Sequence, residues 1–166
     1  MNWFFCTAFA VPPIQAKPLF YILRMAELVS TATAAWQGGL ADGSGTVSFA
    51  SGAAGPLPVT WASRTEAADG KTSPEELIGA AHAACFSMAL SHEIAEAGGT
   101  PRSTEVTAKV TFSASDAGVG ISGIAITVSG SADGLDADGF RQAAENAKTN
   151  CPVSRALSVP ITLTVE

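Results

Sequence analysis

Two cysteines are the residues of this chain whose types and placement could do chemistry. Cys85 lies in the small, apolar run HAACFSMAL, and Cys151 opens the segment CPVS, where proline suits the first turn of a helix. The thiolate is the reactive form of cysteine, and a helix N-terminus stabilises negative charge. Two such thiols could alternate between a dithiol and a disulfide, so the pattern predicts thiol redox chemistry.

Length and composition limit the setting of this chemistry. A chain of 166 residues fits one domain that can fold without structural disulfides. Its three cysteines, Cys6, Cys85 and Cys151, are widely spaced, so we expect reduced thiols and a cytoplasmic location. The net charge of −6 and the scattered basic residues argue against nucleic acid as a partner. No apolar stretch reaches the ~18 to 20 residues of a membrane-spanning helix, so we expect no membrane.

The first 24 residues differ from the rest in being rich in aromatic residues and proline. Residues 1–11 contain no Lys or Arg, which is atypical of an export signal. We expect residues 1–24 to be an appended extension, either disordered or an artefact, and residues 25–166 to form the functional domain. An ordered arm that packs on a partner subunit is the alternative.

The spacing of apolar residues and turn signals predicts an α+β fold with the order β-β-β-α-β-β-α-α-β. Three short strands are expected over residues 33–64, because runs rich in Val, Thr and Trp alternate with glycine-rich turns. Ser73 is the predicted N-cap of a helix from Pro74 to about Ala97, with Glu76 completing a capping box. The later elements are two alternating strands around residues 106–112 and 124–128, helices that start after Asp136 and at Pro152, and a closing strand over residues 161–165.

The helix that carries Cys85 is apolar almost all the way round from Leu77 to Leu90. A surface helix is apolar on one side only, so this pattern predicts a core helix that is covered on most sides.

Three motifs resemble one known family. Residues 72–90 read TSPEELIGAAHAACFSMAL, residues 150–154 read NCPVS, and residues 36–39 read WQGG. Together they resemble the OsmC/Ohr family of thiol-dependent organic hydroperoxide reductases, and His82 favours the OsmC branch. The resemblance extends over residues 25–166. It implies an intertwined homodimer with curved antiparallel sheets packed around long central helices and with active sites at the subunit interface.

The resemblance also implies the role of each cysteine. Cys85 would attack an alkyl hydroperoxide and become a sulfenic acid, and Cys151 would resolve that acid to a disulfide. An external dithiol, lipoyl-linked in the family, would then reduce the disulfide, with no metal and no prosthetic group. The family pairs an arginine with a carboxylate, and the motif places that carboxylate at Glu75.

A fixed positive charge is required beside Cys85, because burial in apolar surroundings raises the pKa of a thiol. Arg64 is the best candidate, since we expect it at the end of a strand over residues 59–63 and since guanidinium keeps its charge when desolvated. Arg102 and Arg155 are alternatives. Glu75 lies ten helical residues from Cys85, about 15 Å at ~1.5 Å per residue, so it must act through Arg64 or across the dimer.

The apolar side chains of the Cys85 helix predict a pocket that favours organic hydroperoxides over hydrogen peroxide. The predicted lining is Leu77, Ile78, Phe86, Met88 and Leu90. A non-catalytic module that binds a lipid or small ligand on the same dimeric fold is the rival hypothesis.

A zinc site built from Cys85, His92 and Cys151 is a weaker hypothesis. Zinc ligands usually occur as closely spaced pairs, and the chain has no Cys-x-x-Cys or His-x-x-x-His motif. His82 is instead predicted to be a core or interface histidine that is hydrogen-bonded by its neighbours.

Overall fold

The structure, a computed structural model, describes residues 27–115 and 118–166. The predicted extension over residues 1–24, with Cys6, lies outside the described residues. The described elements are β1 (Ala32–Gln37), β2 (Ser44–Phe49), β3 (Leu57–Thr60), α1 (Trp61–Thr65), α2 (Pro74–Glu96), β4 (Thr100–Ser115), β5 (Gly118–Asp133), α3 (Ala137–Asn150), α4 (Pro152–Ala156) and β6 (Ile161–Val165). The order confirms the α+β prediction, with α1 as an added element.

The three strands before α1 form an antiparallel meander in the order β1-β2-β3. The register places Trp36 opposite Gly45 and Val47 opposite Leu57. Gly38 has a φ of 86°, a left-handed conformation that glycine adopts without a steric penalty, and it allows the chain to turn from β1 towards β2. The prediction of three strands over this region is therefore confirmed.

The prediction that Arg64 ends a strand over residues 59–63 is wrong. The strand β3 ends at Thr60, and Arg64 lies on the short helix α1. The Thr60 side chain accepts a hydrogen bond from the Ser63 N–H, and the Ser63 hydroxyl accepts one from the Thr60 N–H. The donor–acceptor distance is 3.0 Å in both bonds. This reciprocal capping box satisfies backbone donors that a continued strand would have left without sheet partners.

The start of α2 matches the sequence prediction with one difference. The Ser73 side chain accepts a hydrogen bond from the Glu76 N–H, and Pro74 lies in the first turn. The predicted second half of a capping box is not formed: the Glu76 carboxylate instead accepts a 2.8 Å hydrogen bond from the Thr72 hydroxyl. The acidic first turn still complements the positive end of the helix dipole.

The second sheet has the order β4-β5-β6. The strands β4 and β5 form a long antiparallel hairpin, as predicted, and β6 is parallel to β5. The helices α2 and α3 pack with this sheet around a core whose side chains share nearly complete burial: Phe86, Leu90, Ile94, Ile124, Ile126, Val128, Phe140, Ala143, Ala144, Ala147 and Cys151.

Only part of the α2 surface is covered within one protomer. The buried residues of α2 lie along one side of the helix, which contacts β4, α3 and α4. They include Gly79, His82, Phe86, Leu90 and Ile94. Met88 is 72% exposed, and no other part of the described chain covers that side of the helix. The prediction of a helix covered on most sides is therefore wrong for a single protomer, and the exposed side leaves apolar surface for another molecule.

Among the described residues, no helix is both long enough and apolar enough to cross a membrane.

Candidate active site

The packing of α2 against α4 brings Cys85 and Cys151 together. Cys85 lies near the middle of α2 and is half-buried, whereas Cys151 is fully buried at the N-cap of α4. Both thiols are free. They are close enough for the pKa of each to depend on the other. Residues far apart in sequence therefore form one dithiol pair.

The surroundings of the pair shift the two pKa values in opposite directions. Burial is the largest influence and raises the pKa of the Cys85 thiol; the Val153 N–H lowers it by a smaller amount, and the Cys151 sulfur raises it again. Burial acts on Cys151 in the same sense, but hydrogen bonding outweighs it and lowers the pKa of that thiol. The groups that lower it are, in order, the Ser154 N–H, the Cys85 thiol, the Ser154 hydroxyl and the Val153 N–H. Within one protomer, a negative charge on this pair is thus held on Cys151.

Arg64 and Glu75 form a second pair at the beginning of α2. The Arg64 Nη2 lies 2.7 Å from the Glu75 Oε1, and the Arg64 Nε donates to both carboxylate oxygens, at 3.0 and 3.2 Å. The guanidinium carbon also lies 4.1 Å from the centroid of the Phe112 ring and 5.8 Å from that of Trp61. Since Glu75 is only 7% exposed, the pair holds the guanidinium in one orientation.

Within one protomer the two pairs remain apart. Glu75 is in the first turn of α2, and the distance from it to Cys85 is about 15 Å at ~1.5 Å per helical residue. The positive charge expected beside Cys85 is therefore not supplied by Arg64 of the same described protomer, and the pKa of Cys85 is raised rather than lowered. The catalytic roles of Cys85, Cys151, Arg64 and Glu75 remain predictions.

The alternative arginines lie elsewhere. Arg102 forms an exposed ion pair with Asp133 at the open end of the β4–β5 hairpin, far from its turn. Arg155 is exposed in the last turn of α4. The residues of the weaker zinc hypothesis do not come together either: in residues 27–115 and 118–166, no three His, Cys, Asp or Glu side chains cluster as metal ligands would.

The predicted single apolar pocket is wrong. Phe86 and Leu90 are fully buried in the core, Met88 points to the exposed side of α2, and Leu77 faces a different groove. The physical reason is that successive residues of a helix are turned by about 100°, so a continuous apolar run covers every side. The groove of about 380 Å³ that Leu77 lines is mostly apolar, and it also contains Arg64, Trp36, Trp61 and Val59.

His82 is a polar residue near the dithiol pair, and its hydrogen-bond partner could not be predicted from the sequence. His82 is fully buried, and its Nε2 lies 2.8 Å from the Ser154 Oγ. The sequence predicted a hydrogen-bonded histidine at this position, but not Ser154, because no local pattern relates residues on α2 and α4. Burial lowers the pKa of His82 and keeps its ring neutral.

The chain is similar to known proteins in both sequence and fold. A family model described as OsmC-like protein matches residues 67–166. Peroxiredoxin OsmC of Escherichia coli (strain K12) is 48% identical over 128 residues, which span 77% of this chain and 89% of that protein. This chain belongs to the OsmC family. The resemblance inferred from the three sequence motifs is thereby confirmed.

Solved structures of the OsmC and Ohr type share the fold. An organic hydroperoxide resistance protein OsmC from Legionella pneumophila matches with a TM-score of 0.68 and 26% identity, over 86% of this chain and 99% of that chain. An organic hydroperoxide resistance protein from Elizabethkingia anophelis matches with a TM-score of 0.66 and 28% identity, over the same shares of the two chains. The OsmC-family chain therefore has the α+β fold of these proteins, and the implied homodimer stays a prediction.

Proposed function

We propose that this OsmC-family protein is a thiol peroxidase that reduces organic hydroperoxides to alcohols and protects cells under oxidative or osmotic stress. The observation that carries the proposal is the dithiol pair formed by Cys85 and Cys151 on separate helices. The names of the relatives support it, because one is a peroxiredoxin and others are organic hydroperoxide resistance proteins. Because the cysteines are few and widely spaced, we also propose the cytoplasm.

The first step would oxidise Cys85. Its thiolate attacks the distal oxygen of the hydroperoxide, a sulfur–oxygen bond forms, and the oxygen–oxygen bond breaks. The alkoxide takes up a proton and leaves as an alcohol, while Cys85 becomes a sulfenic acid. Cys85 lies on the side of α2 that is only partly covered, so a substrate can approach it from outside the protomer.

The second step would form the disulfide. The Cys151 thiolate attacks the sulfur of the Cys85 sulfenic acid, a sulfur–sulfur bond forms, and the sulfur–oxygen bond breaks. The hydroxide that leaves takes up a proton and becomes water. The lowered pKa of Cys151 favours this step, because the attacking sulfur must be ionised. An external dithiol then restores both thiols by exchange and is itself oxidised to a disulfide, so the cycle needs no resident metal or prosthetic group.

The first step requires positive charge beside Cys85, and we place its source in a second copy of the chain. The exposed apolar side of α2, with Met88 72% exposed, is a surface that a homodimer would cover. Arg64 is held rigidly by Glu75 at the beginning of α2 and borders an open apolar groove. In the proposed homodimer, Arg64 of one protomer lies beside Cys85 of the other, and Glu75 orients it.

The apolar groove beside Arg64 supports organic hydroperoxides as the substrate class. Its walls suit the alkyl part of the substrate, and the guanidinium suits the peroxide oxygens. Hydrogen peroxide has no apolar part, so it gains nothing from these walls.

Peroxide consumption by purified protein tests the proposed function. With excess dithiol, the wild-type protein is expected to consume cumene hydroperoxide catalytically and faster than hydrogen peroxide. Cys85→Ser removes the attacking sulfur and should abolish turnover, whereas Cys151→Ser should consume one equivalent per Cys85 and then stop. If Cys85→Ser consumes hydroperoxide as the wild type does, the assignment is wrong. A wild-type protein that binds the hydroperoxide without consuming it would favour the binding module.

A further inference from the structure

His82 is a buried polar side chain that the peroxidase cycle described above does not use. Its ring has no solvent exposure, and its Nε2 contacts the Ser154 Oγ at 2.8 Å. Its Nδ1 is also buried and has no hydrogen-bond partner among the described residues. A polar ring in the core with one nitrogen unpaired has a free-energy cost, so its position calls for a physical explanation.

Ser154 connects this ring to the thiol pair. Ser154 is 8% exposed and lies in the first turn of α4, three residues after Cys151. Its hydroxyl contacts His82 at 2.8 Å, and it is one of the groups that lower the pKa of Cys151. Because Ser154 is the third residue of the helix that Cys151 caps, the three residues follow one another through the core, from His82 on α2 to Ser154 and then to Cys151 on α4.

The donor and acceptor roles along this chain of contacts follow from chemistry. A thiolate can only accept hydrogen bonds, so the single proton of the Ser154 hydroxyl must point at Cys151 when that sulfur is ionised. The Ser154 oxygen then accepts from His82, and the neutral ring must carry its proton on Nε2. This tautomer leaves a lone pair, rather than an N–H, on the unpaired Nδ1, and buried acceptors are left unpaired more often than buried N–H groups.

We propose that His82 and Ser154 are positioning residues for the resolving sulfur: the His82 ring fixes the Ser154 hydroxyl so that its proton points at Cys151 while Cys151 attacks the Cys85 sulfenic acid. The inference rests on the proposed function and adds a step-specific role to it. In that step the sulfur–sulfur bond forms, the sulfur–oxygen bond breaks, and the leaving hydroxide becomes water. A fixed donor holds the Cys151 thiolate ready before the sulfenic acid can be oxidised further.

The two oxidation steps can be measured separately in a single turnover. One equivalent of cumene hydroperoxide is added to reduced protein, the sulfenic acid is trapped with dimedone, and the disulfide is followed by mass spectrometry under non-reducing conditions. Ser154→Ala is expected to slow the conversion of sulfenic acid to disulfide about tenfold, the effect of one hydrogen bond to a charged group. Formation of the sulfenic acid should slow much less.

Conservative variants separate positioning from a merely structural role. Ser154→Thr keeps the hydroxyl, and His82→Gln keeps an N–H donor on a side chain of similar reach, so both should recover most of the resolving rate that Ser154→Ala and His82→Leu lose. Ser91→Ala is the matched control. Among the described residues, the Ser91 hydroxyl donates only to the Ser87 carbonyl within α2, so its loss should leave the resolving rate within about twofold of wild type.

The outcomes separate the two proposals. If wild-type protein forms neither sulfenic acid nor disulfide, the proposed function fails. If the wild type completes the cycle and folded Ser154→Ala resolves at the wild-type rate, the positioning role is overturned and the function stands. Should His82→Leu fail to fold, the comparison of Ser154→Ala with Ser154→Thr still decides: equal resolving rates in these two variants contradict the role.

Discussion

At the scale of residues, the surroundings of the Cys85 sulfur differ from those of the Cys151 sulfur more than the sequence indicated. The sequence marked Cys85 and Cys151 because of their types and neighbours, and it marked the helix start at Cys151 as a place for a thiolate. It could not show that burial raises the pKa of Cys85 within a protomer. It also could not reveal Ser154 and His82, because contacts between residues on different helices leave no local pattern.

Titration of the thiols in Arg64→Met, which removes the guanidinium proposed to reach Cys85 from the partner, tests the opposite pKa shifts that one protomer shows. Thiolate absorbance near 240 nm should rise in two steps, one below and one above the pH at which an ordinary cysteine ionises. The step at lower pH belongs to Cys151, whose pKa is lower in the folded than in the unfolded protein. Its ionisation therefore stabilises the fold at pH values above the unfolded pKa. This contribution is lost as the pH falls through the folded pKa.

The single-cysteine variants, each made together with Arg64→Met, provide the control for this titration. Cys85→Ser leaves a hydroxyl that can still donate to Cys151, so the early step should remain in that variant. Cys151→Ser should show only a late step. An early step that persists in Cys151→Ser and disappears in Cys85→Ser would reverse the assignment.

At the scale of elements, the sequence predicted types and boundaries well where local signals act. The N-cap of α2 at Ser73, the N-cap of α3 at Asp136 and the hairpin of alternating strands all follow from such signals. Two features were missed: α1, which has only five residues and follows β3 directly, and the distribution of apolar side chains around α2. The second depends on which neighbours pack on each side, which is tertiary information.

Gly79 shows how closely α2 lies on β4 and yields a prediction about stability. Alanine favours a helix interior over glycine by about 1 kcal/mol. A Cβ at position 79, however, would lie 2.9 Å from the backbone oxygen of Ala108, which cannot move without shifting the strand. Gly79→Ala should therefore lower the free energy of unfolding, by about 1 to 3 kcal/mol as for overpacking.

Urea denaturation measures this effect. An increase in stability for Gly79→Ala, of the size that propensity gives, would mean that α2 and β4 are not in close contact.

At the scale of the whole molecule, the resemblance implied an arrangement that one protomer shows only in part. The fold and the two residue pairs are present. However, Glu75, which holds Arg64, lies in the first turn of α2, far from Cys85, and one side of that helix is uncovered. A homodimer that covers this side would explain both facts. The sequence alone could not decide this, because an apolar helix has the same composition whether its own chain or a partner covers it.

Complementation between two inactive subunits tests whether Arg64 acts across the dimer. Arg64→Met and Cys85→Ser homodimers should each be inactive. A heterodimer of the two, co-expressed with different tags and purified through both, would place an intact Cys85 beside an intact Arg64 at one of its two sites. It should recover about half of the wild-type turnover, as expected for a two-fold symmetric enzyme with one functional site.

Two comparisons complete the complementation experiment. A heterodimer of wild-type and Cys85→Ser subunits sets the half-activity level, and Arg102→Met, which removes an exposed arginine, should leave homodimer turnover unchanged. If the mixed Arg64→Met and Cys85→Ser heterodimer is as inactive as its parents, Arg64 does not act on the partner's Cys85.

The central claim is that the sulfurs of Cys85 and Cys151 form a redox-active pair, and peptide mapping of the oxidised protein tests it most directly. Reduced wild-type protein is treated with one equivalent of cumene hydroperoxide, alkylated, digested without reductant and analysed by mass spectrometry. We predict a cross-linked peptide that joins Cys85 to Cys151 in near-stoichiometric yield and that disappears on addition of a dithiol. Oxidation that leaves these two cysteines unlinked in the wild-type protein would contradict the account.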